Sequence, residues 1–240
     1  MHEIMILADI HGDLEMVEKS IEYANNNGID DIILLGDFPA YGNFRDKEMN
    51  LKWGKKILNL LNKKFNLMAI PGNCDSEDII REFDKIGINL HAKVKEIHGV
   101  SFIGFGGATK TPFNTPFELN DEIFYNNLKD LMKRVKTDDV VLILHQPPIN
   151  TKCDLTRNGI HAGNSGIRRI IEEFQPSFAV CSHIHEAGGN EDIIGKTRIY
   201  NVGSISDGRF GILDLSKPSI KLYRFDDLDL MTKIDSMEDV

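Results

Sequence analysis

Residues 3–12 read EIMILADIHG, an apolar run that ends in Asp9 and His11. Two further apolar runs follow at 32–35 and 67–70, and the stretches between them carry apolar residues at intervals of three and four positions. Strands that alternate with helices in this way form parallel sheets, because each helix returns the chain to the same edge. Residues 3–12 therefore predict the first strand of an α/β fold.

Strands dominate the later part of the chain. The complete set of predicted strands is 4–8, 32–35, 67–70, 100–105, 140–144, 178–181, 198–202, 210–215 and 220–225. The predicted helices are 14–26, 47–64, roughly 120–135, and 165–174. Because the last third is mostly strand, we expect an α/β fold of two packed mixed sheets flanked by helices, a four-layer αββα sandwich, rather than one doubly wound sheet.

The length and the patterning of the chain indicate one domain. A chain of 240 residues can fold around a single core. We expect a single domain over 1–225 and an acidic tail over 226–240, where apolar periodicity is weak. Two long loops, at 105–119 and 147–163, carry glycine and proline, and loops of that length are usually functional.

The composition excludes several classes of protein. The hydrophobic content of 41% excludes disorder along the whole chain, and the formal charge of -9 disfavours attraction to DNA or to an anionic membrane. No apolar run approaches the roughly 18 residues of a membrane-spanning helix. The three cysteines are odd in number and irregularly spaced, which does not fit a disulfide framework. We therefore expect a cytoplasmic protein.

Metal-capable side chains follow one predicted strand after another. They are Asp9, His11, Asp37, Asn73, Asp75, His145, His183 and His185. In an open α/β sheet, ligands bind beyond the carboxyl ends of the strands. Side chains two positions apart on an extended backbone point the same way, so Asp9 with His11, and His183 with His185, are expected to converge.

Five blocks of residues carry a resemblance to a known family. In chain order they are Asp9-Ile10-His11, Gly36-Asp37, Gly72-Asn73-Cys74-Asp75, His145 and Ser182-His183-Ile184-His185. This order resembles the D-x-H, G-D, G-N-H-D/E, H and G-H-x-H motifs of calcineurin-like metallophosphoesterases. The segment after Asp37 lacks the D-R-G of Ser/Thr protein phosphatases, so the resemblance is to the small archaeal and bacterial phosphoesterases of that superfamily.

The resemblance implies a site with two divalent metal ions that activate a bridging water for attack on a phosphate ester. The ligands implied for the first metal are Asp9, His11, Asp37 and His185. Those implied for the second metal are Asp37, Asn73, His145 and His183. Asp37 would bridge the two ions, and Asn73 would also contact the substrate. Mixed nitrogen and oxygen ligands favour manganese, iron, zinc or nickel over calcium.

Two positions depart from the family motifs. Cys74 stands where the family often has a histidine that protonates the leaving group, and a thiol is a poor proton donor for that purpose. We interpret Cys74 as a small residue that shapes its loop. Asp75 is interpreted as an acceptor for a metal-bound histidine or as an anchor of the loop. Ser182 replaces a glycine and keeps a small residue at a tight turn.

His161 is the candidate for the missing acid. It lies in the long loop after His145, on a stretch flanked by glycines. Histidine can donate a proton to a leaving group near neutral pH, which makes His161 a candidate catalytic residue. A solvated loop histidine with no role in catalysis is the alternative interpretation.

These observations predict a binuclear metal-dependent hydrolase of a small phosphodiester. The alternatives are a phosphomonoesterase, a nuclease, and a non-catalytic scaffold or protein-interaction module of the same fold. A scaffold is expected to lose metal ligands, yet all seven positions hold a residue that can ligate, and no basic face for nucleic acid is visible in the sequence. The expected partner is a small phosphate ester, without a membrane or a nucleic acid.

Overall fold

The computed structural model describes residues 2–228 of the chain. Within that range the strands, in chain order, are β1 Glu3–Leu7, β2 Asp31–Leu34, β3 Asn66–Ala69, β4 Lys93–Ile97, β5 Val100–Phe105, β6 Val140–Leu144, β7 Phe178–Cys181, β8 Glu191–Ile194, β9 Thr197–Asn201, β10 Arg209–Asp214 and β11 Ser219–Arg224. The α-helices are α1 Leu14–Asn27, α2 Lys47–Leu61, α3 Asp78–Lys85, α4 Asp121–Met132 and α5 Ser165–Phe174.

Side-chain caps set the starts of several helices. Asp13 and Asp46 accept backbone N–H groups in the first turns of α1 and α2. Asn120 and Asn164 do the same for α4 and α5. Each cap satisfies a donor that the first turn leaves without a partner in the helix. The helices therefore begin where short polar side chains follow a strand or a loop.

The strands form two mixed sheets. The first has the order β11-β10-β1-β2-β3, in which β1, β2 and β3 are parallel and β10 and β11 are antiparallel. The second has the order β4-β5-β6-β7-β9-β8, in which β5, β6, β7 and β9 are parallel and the edge strands are antiparallel. The prediction of two mixed sheets is confirmed.

Three apolar layers hold the fold together. Phe38 and Phe83 belong to the layer between the first sheet and helices α1 to α3. Ile6 and Phe102 belong to the layer between the two sheets. Phe124 lies in the layer between the second sheet and helices α4 and α5. The predicted αββα order is therefore confirmed, and it explains the continuous apolar runs, since the central strands are covered on both faces.

The sequence patterns missed three elements. β4 and β8 are edge strands with several exposed or half-exposed residues, so neither has the apolar run that marks a buried strand. Helix α3 has eight residues and buries only Ile79 and Phe83, which is too short a pattern to identify. The expected tail over 226–240 lies mostly outside the described residues. None of the helices in 2–228 is long and apolar enough to cross a membrane.

Candidate metal centre

The candidate metal ligands meet where strands of both sheets end. Asp9 and Asp37 follow β1 and β2 of the first sheet, and His145 follows β6 of the second. Two groups of side chains could each hold a cation, with ligand atoms within 4.8 Å of one another. One group is Asp9, His11 and His185, and the other is Asp9, Asp37 and His145. Residues distant in sequence thus share one polar centre.

Asp9 lies at the bottom of the centre and is fully buried. Its Oδ2 atom accepts hydrogen bonds from the Ser182 hydroxyl and from the backbone N–H of His183 at 3.1 Å. Its Oδ1 atom is one of two buried side-chain atoms in residues 2–228 that have no hydrogen-bond partner. A buried carboxylate oxygen without a partner is costly unless a cation or a ligand satisfies it. Ser182, at the position where the family motif has glycine, adds a hydrogen-bond donor to the other oxygen, Oδ2.

Asp37 faces histidines from both predicted ligand sets. Its Oδ2 atom lies 3.7 Å from Nε2 of His11, and its Oδ1 atom lies 3.6 Å from Nε2 of His145. Oδ1 also accepts the backbone N–H of Cys74 at 2.7 Å. The two oxygens thus lie near histidines of both implied ligand sets, whereas the carboxylate common to the two groups of possible ligands is Asp9.

His145 directs its Nε2 atom toward the centre. Its Nδ1 atom donates to the Leu35 carbonyl at 2.7 Å, so in the neutral tautomer the lone pair is on Nε2. Nε2 lies 2.8 Å from Oδ1 of Asn73. Asn73 in turn donates its amide N–H to Thr115 Oγ1 at 3.0 Å, so its Oδ1 is turned toward the centre. An unprotonated histidine nitrogen and an amide oxygen repel each other at this distance unless a cation lies close to both. The donor set fits a divalent metal.

The backbone around the ligands is unusual. Asp9, His11, Asp37 and His183 all have positive φ, at 49°, 44°, 56° and 66°. Non-glycine residues pay for this conformation, and it concentrates at functional sites. His185 lies in a 3-10 turn. Asp9 and His11 belong to one group of possible ligands, whereas neither group contains both His183 and His185. The extended backbone assumed for the two pairs is wrong, because these side chains lie on sharp turns beyond the strand ends.

The charges of the centre are coupled. Burial acts to raise the pKa of Asp9, but three neighbouring histidines, foremost His185, outweigh it and hold that pKa far below its usual value. Burial acts to lower the pKa of His185, but Asp9 outweighs it and raises that pKa to about 9. Burial, helped by His145, lowers the pKa of His183 to about 4, so its imidazole is neutral and can bind a metal.

Asp75 ties two loops of the centre together. Its carboxylate accepts the backbone N–H groups of Asp37 at 2.8 Å, Phe38 at 2.9 Å and Gly72 at 2.7 Å. Of the two interpretations given to Asp75, these contacts correspond to the loop anchor. Burial and the nearby charge of Asp37 raise the pKa of Asp75 to about 7.

Cys74 lines a cavity of about 310 Å³ above the centre. The cavity is also lined by His11, Asp37, Tyr41, Phe44, Asn73, Phe113, Thr115, His183, His185 and Glu186. Burial and the negative charge of Asp37 raise the pKa of the Cys74 thiol, which therefore remains protonated. A thiol held in this form is a weak proton donor to a leaving group.

His161 is not among the residues that line this cavity. Its Nδ1 atom lies 2.7 Å from Oδ1 of Asp154, a fully buried carboxylate that also accepts the backbone N–H groups of Thr151 and Gly163. Asp154 therefore organises the loop that carries His161. The catalytic role of His161 stays a prediction.

The hydrogen bonds that orient the Asn73 amide could not be predicted from the sequence. The hydroxyl of Thr115 donates to Glu118 Oε1 at 2.7 Å and so is left to accept the amide N–H of Asn73. Glu118 also accepts the backbone N–H of Thr115 at 2.9 Å. This chain of contacts sets which end of the Asn73 amide faces His145. No local pattern could reveal it, because Asn73 and Thr115 are 42 positions apart.

Comparisons with known proteins agree with this arrangement. A sequence model described as calcineurin-like phosphoesterase matches residues 2–187. The uncharacterized protein MJ1162 of Methanocaldococcus jannaschii is 34% identical over 203 residues, which cover 83% of this chain and 87% of that protein.

Two solved structures share the fold at low identity. A dimetal phosphatase from Danio rerio superposes with a TM-score of 0.68 at 10% identity, covering 93% of this chain and 95% of its own. An archaeal phosphodiesterase superposes with a TM-score of 0.53 at 18% identity, covering 92% of this chain and 99% of its own. These two likenesses concern the fold alone. The match over residues 2–187 and the relative at 34% identity show that the chain belongs to the calcineurin-like phosphoesterase family.

Proposed function

We propose that this protein is a two-metal phosphodiesterase that hydrolyses a small phosphodiester. The observation that carries the proposal is the convergence of histidine nitrogens and carboxylate oxygens around the buried Asp9 Oδ1, which has no hydrogen-bond partner. The ligand sets proposed are those implied by the family resemblance: Asp9, His11, Asp37 and His185 for one ion, and Asp37, Asn73, His145 and His183 for the other. We propose manganese, iron, zinc or nickel as the ions.

Two bound divalent ions lower the pKa of a water nucleophile and offset negative charge on the phosphate. The residues of this chain prepare the centre for that chemistry. Asp37 would supply negative charge to both ions, and Ser182 donates a hydrogen bond that orients Asp9. The Leu35 carbonyl accepts a hydrogen bond from Nδ1 of His145 and so leaves Nε2 as the nitrogen that would bind an ion. Asn73, whose amide N–H is held by Thr115, would ligate one ion and contact the phosphate.

The lining of the cavity supports a diester rather than a monoester. Among the described residues that line it there is no lysine or arginine, and Glu186 adds a negative charge. A monoester carries one more negative charge near neutral pH than a diester does. With Cys74 protonated and neutral, no side chain at that position offsets the extra charge. The archaeal phosphodiesterase of the same fold is compatible with this choice.

A diester preference is therefore expected in a direct comparison. Methyl 4-nitrophenyl phosphate and 4-nitrophenyl phosphate share a leaving group, so kcat/KM on the two compounds isolates the effect of charge at the phosphate. We expect the diester to be favoured by about tenfold or more, which corresponds to about 1.4 kcal/mol in transition-state stabilisation. A tenfold advantage for the monoester would instead identify a phosphomonoesterase.

For His161, we expect the alanine variant to slow an alkyl diester more than a nitrophenyl diester. An alkoxide leaving group needs a proton, and general acid catalysis is typically worth about 10² to 10⁴ in rate. Nitrophenolate leaves without that help. The measurement is kcat on both substrates for wild type and His161→Ala. His161→Gln, which can still donate a hydrogen bond to Asp154 but cannot act as an acid near neutral pH, serves as the companion variant. Equal losses on both substrates would indicate a positioning role, and no loss would indicate a solvated loop histidine.

We also propose that the enzyme is cytoplasmic. Cys74, Cys153 and Cys181 are all free thiols, and the latter two are buried. Free buried thiols are common in proteins of a reducing compartment. A scaffold function is disfavoured, because all seven ligand positions retain a side chain that can bind a metal. A nuclease function is disfavoured by the acidic charge of the chain.

A further inference from the structure

Two aromatic side chains at the cavity are exposed to solvent. Tyr41 is 64% exposed and Phe113 is 66% exposed, and both line the cavity above the metal centre. A single exposed apolar residue is common on a protein surface. Two exposed rings on the wall of the same cavity, with Phe44 beside them, form an apolar patch of the kind that binds ligands.

Tyr41 is held in place by the metal centre. Its ring stacks on His11 with centroids 4.0 Å apart and an interplanar angle of 19°. Its hydroxyl lies 3.4 Å from Nδ1 of His185. These contacts occupy one face and the polar tip of the ring, so the exposed part is largely the opposite, apolar face. The Tyr41 ring is therefore held in one orientation beside the proposed position of the phosphate.

The backbone of Phe113 is also fixed. Its carbonyl accepts a hydrogen bond from Arg45 Nη2 at 2.9 Å, and its backbone N–H donates to Thr111 Oγ1 at 3.2 Å. The guanidinium of Arg45 lies 5.4 Å from the ring centroid of Phe44. Arg45 thus links the segment that carries Tyr41 and Phe44 to the loop that carries Phe113. The exposed ring is presented on an anchored loop.

We propose that Tyr41 and Phe113 form a stacking subsite for a planar aromatic substituent of the phosphodiester. This inference rests on the proposed phosphodiesterase function and specifies its substrate class. The occupant is aromatic because flat rings gain from offset or edge-to-face stacking beyond the burial of apolar area. An anionic substituent is disfavoured, because Glu186 and no lysine or arginine are among the described residues lining the cavity. A nucleobase and a simple aryl group share this chemistry. Glu186 adds an acceptor that a nucleobase N–H can use.

The test uses three diesters with the same nitrophenol leaving group. The second substituent is ethyl, phenyl or thymidine 5′-yl, and kcat/KM is measured for each with the metal-loaded enzyme. We expect phenyl and thymidine esters to exceed the ethyl ester by about five- to hundredfold, the range that stacking of one base supplies. A higher kcat/KM on the thymidine ester than on the phenyl ester identifies a nucleotide substrate. Equal values on these two esters, both above the value on the ethyl ester, identify aryl esters in general.

Phe113→Ala is expected to reduce the preference for aromatic over ethyl esters, mainly through a higher KM for the aromatic esters. Phe113→Trp keeps a planar ring and should retain the preference. Ile193→Ala is the matched control, because Ile193 is 62% exposed and lies outside this cavity. Wild-type rates that do not differ among the three esters, or equal losses on all three in Phe113→Ala, would overturn the subsite.

Failure of the phosphodiesterase proposal can be distinguished from failure of the stacking subsite. If no diester is hydrolysed with any of the four metals, the phosphodiesterase proposal falls. Calorimetric binding of thymidine 5′-phosphate and of ethyl phosphate to the metal-loaded protein then decides the subsite separately. Tighter binding of the thymidine compound that Phe113→Ala abolishes supports the subsite, and equal affinities refute it.

Discussion

Replacement of Asp37 by alanine is expected to reduce diester hydrolysis by about a thousandfold or more and to lower the metal content of the purified protein. Asp37 is nearly fully buried between His11 and His145 and offers one oxygen to each. Without its carboxylate, two divalent cations would lie in a small buried space with less negative charge between them. Elemental analysis and a turnover assay on a nitrophenyl diester measure both effects.

A second variant separates charge from structure. Asp37→Asn retains an oxygen that can accept the backbone N–H of Cys74, a contact of 2.7 Å in the wild type, but removes the negative charge. It should therefore keep a cooperative unfolding transition and still lose activity and metal. Asp30→Ala, an exposed change of the same charge at the opposite end of β2, is the control. Wild-type activity in either Asp37 variant, or in metal-stripped enzyme, would contradict the two-metal proposal.

Replacement of Gly36 by alanine is expected to lower the free energy of unfolding by more than about 4 kcal/mol. Gly36 has φ of +89°, and a Cβ atom there would lie 1.8 Å from the backbone nitrogen of Gly72 and 2.4 Å from the carbonyl carbon of Pro71. Because both neighbours are backbone atoms, the two loops must separate to make room. Asp37 and Asn73 follow these glycines directly, so activity and metal binding should fall as well.

Gly28→Ala is the matched control for this prediction. Gly28 also has positive φ, at +66°, but nothing lies within 4 Å of an added Cβ atom. Its alanine variant therefore carries the conformational cost alone, about 1–2 kcal/mol. Urea unfolding of the two variants separates the steric clash from the backbone strain. Similar losses in both would show that the loops around Gly36 and Gly72 can move apart at little cost.

The αββα architecture and the candidate ligands could be predicted from local sequence patterns and short motifs. Buried parallel strands need apolar runs, and these runs are local patterns that sequence inspection can detect, as at Val140–Leu144. The ligand candidates could be found because each follows a strand in a short motif. Edge elements such as Lys93–Ile97 were missed, since half-exposed residues leave a weak pattern.

The assembly of the site depends on contacts between residues that are far apart in the chain. The orientation of the Asn73 amide depends on Thr115, and the bond from Ser182 to Asp9 joins residues 173 positions apart. The loop that carries Phe113 is pinned by Arg45, 68 positions earlier in the chain. Contacts of this kind arise when two sheets pack and bring separate loops together. Local periodicity does not contain them, because it records which face of an element is buried and not which side chain it meets there.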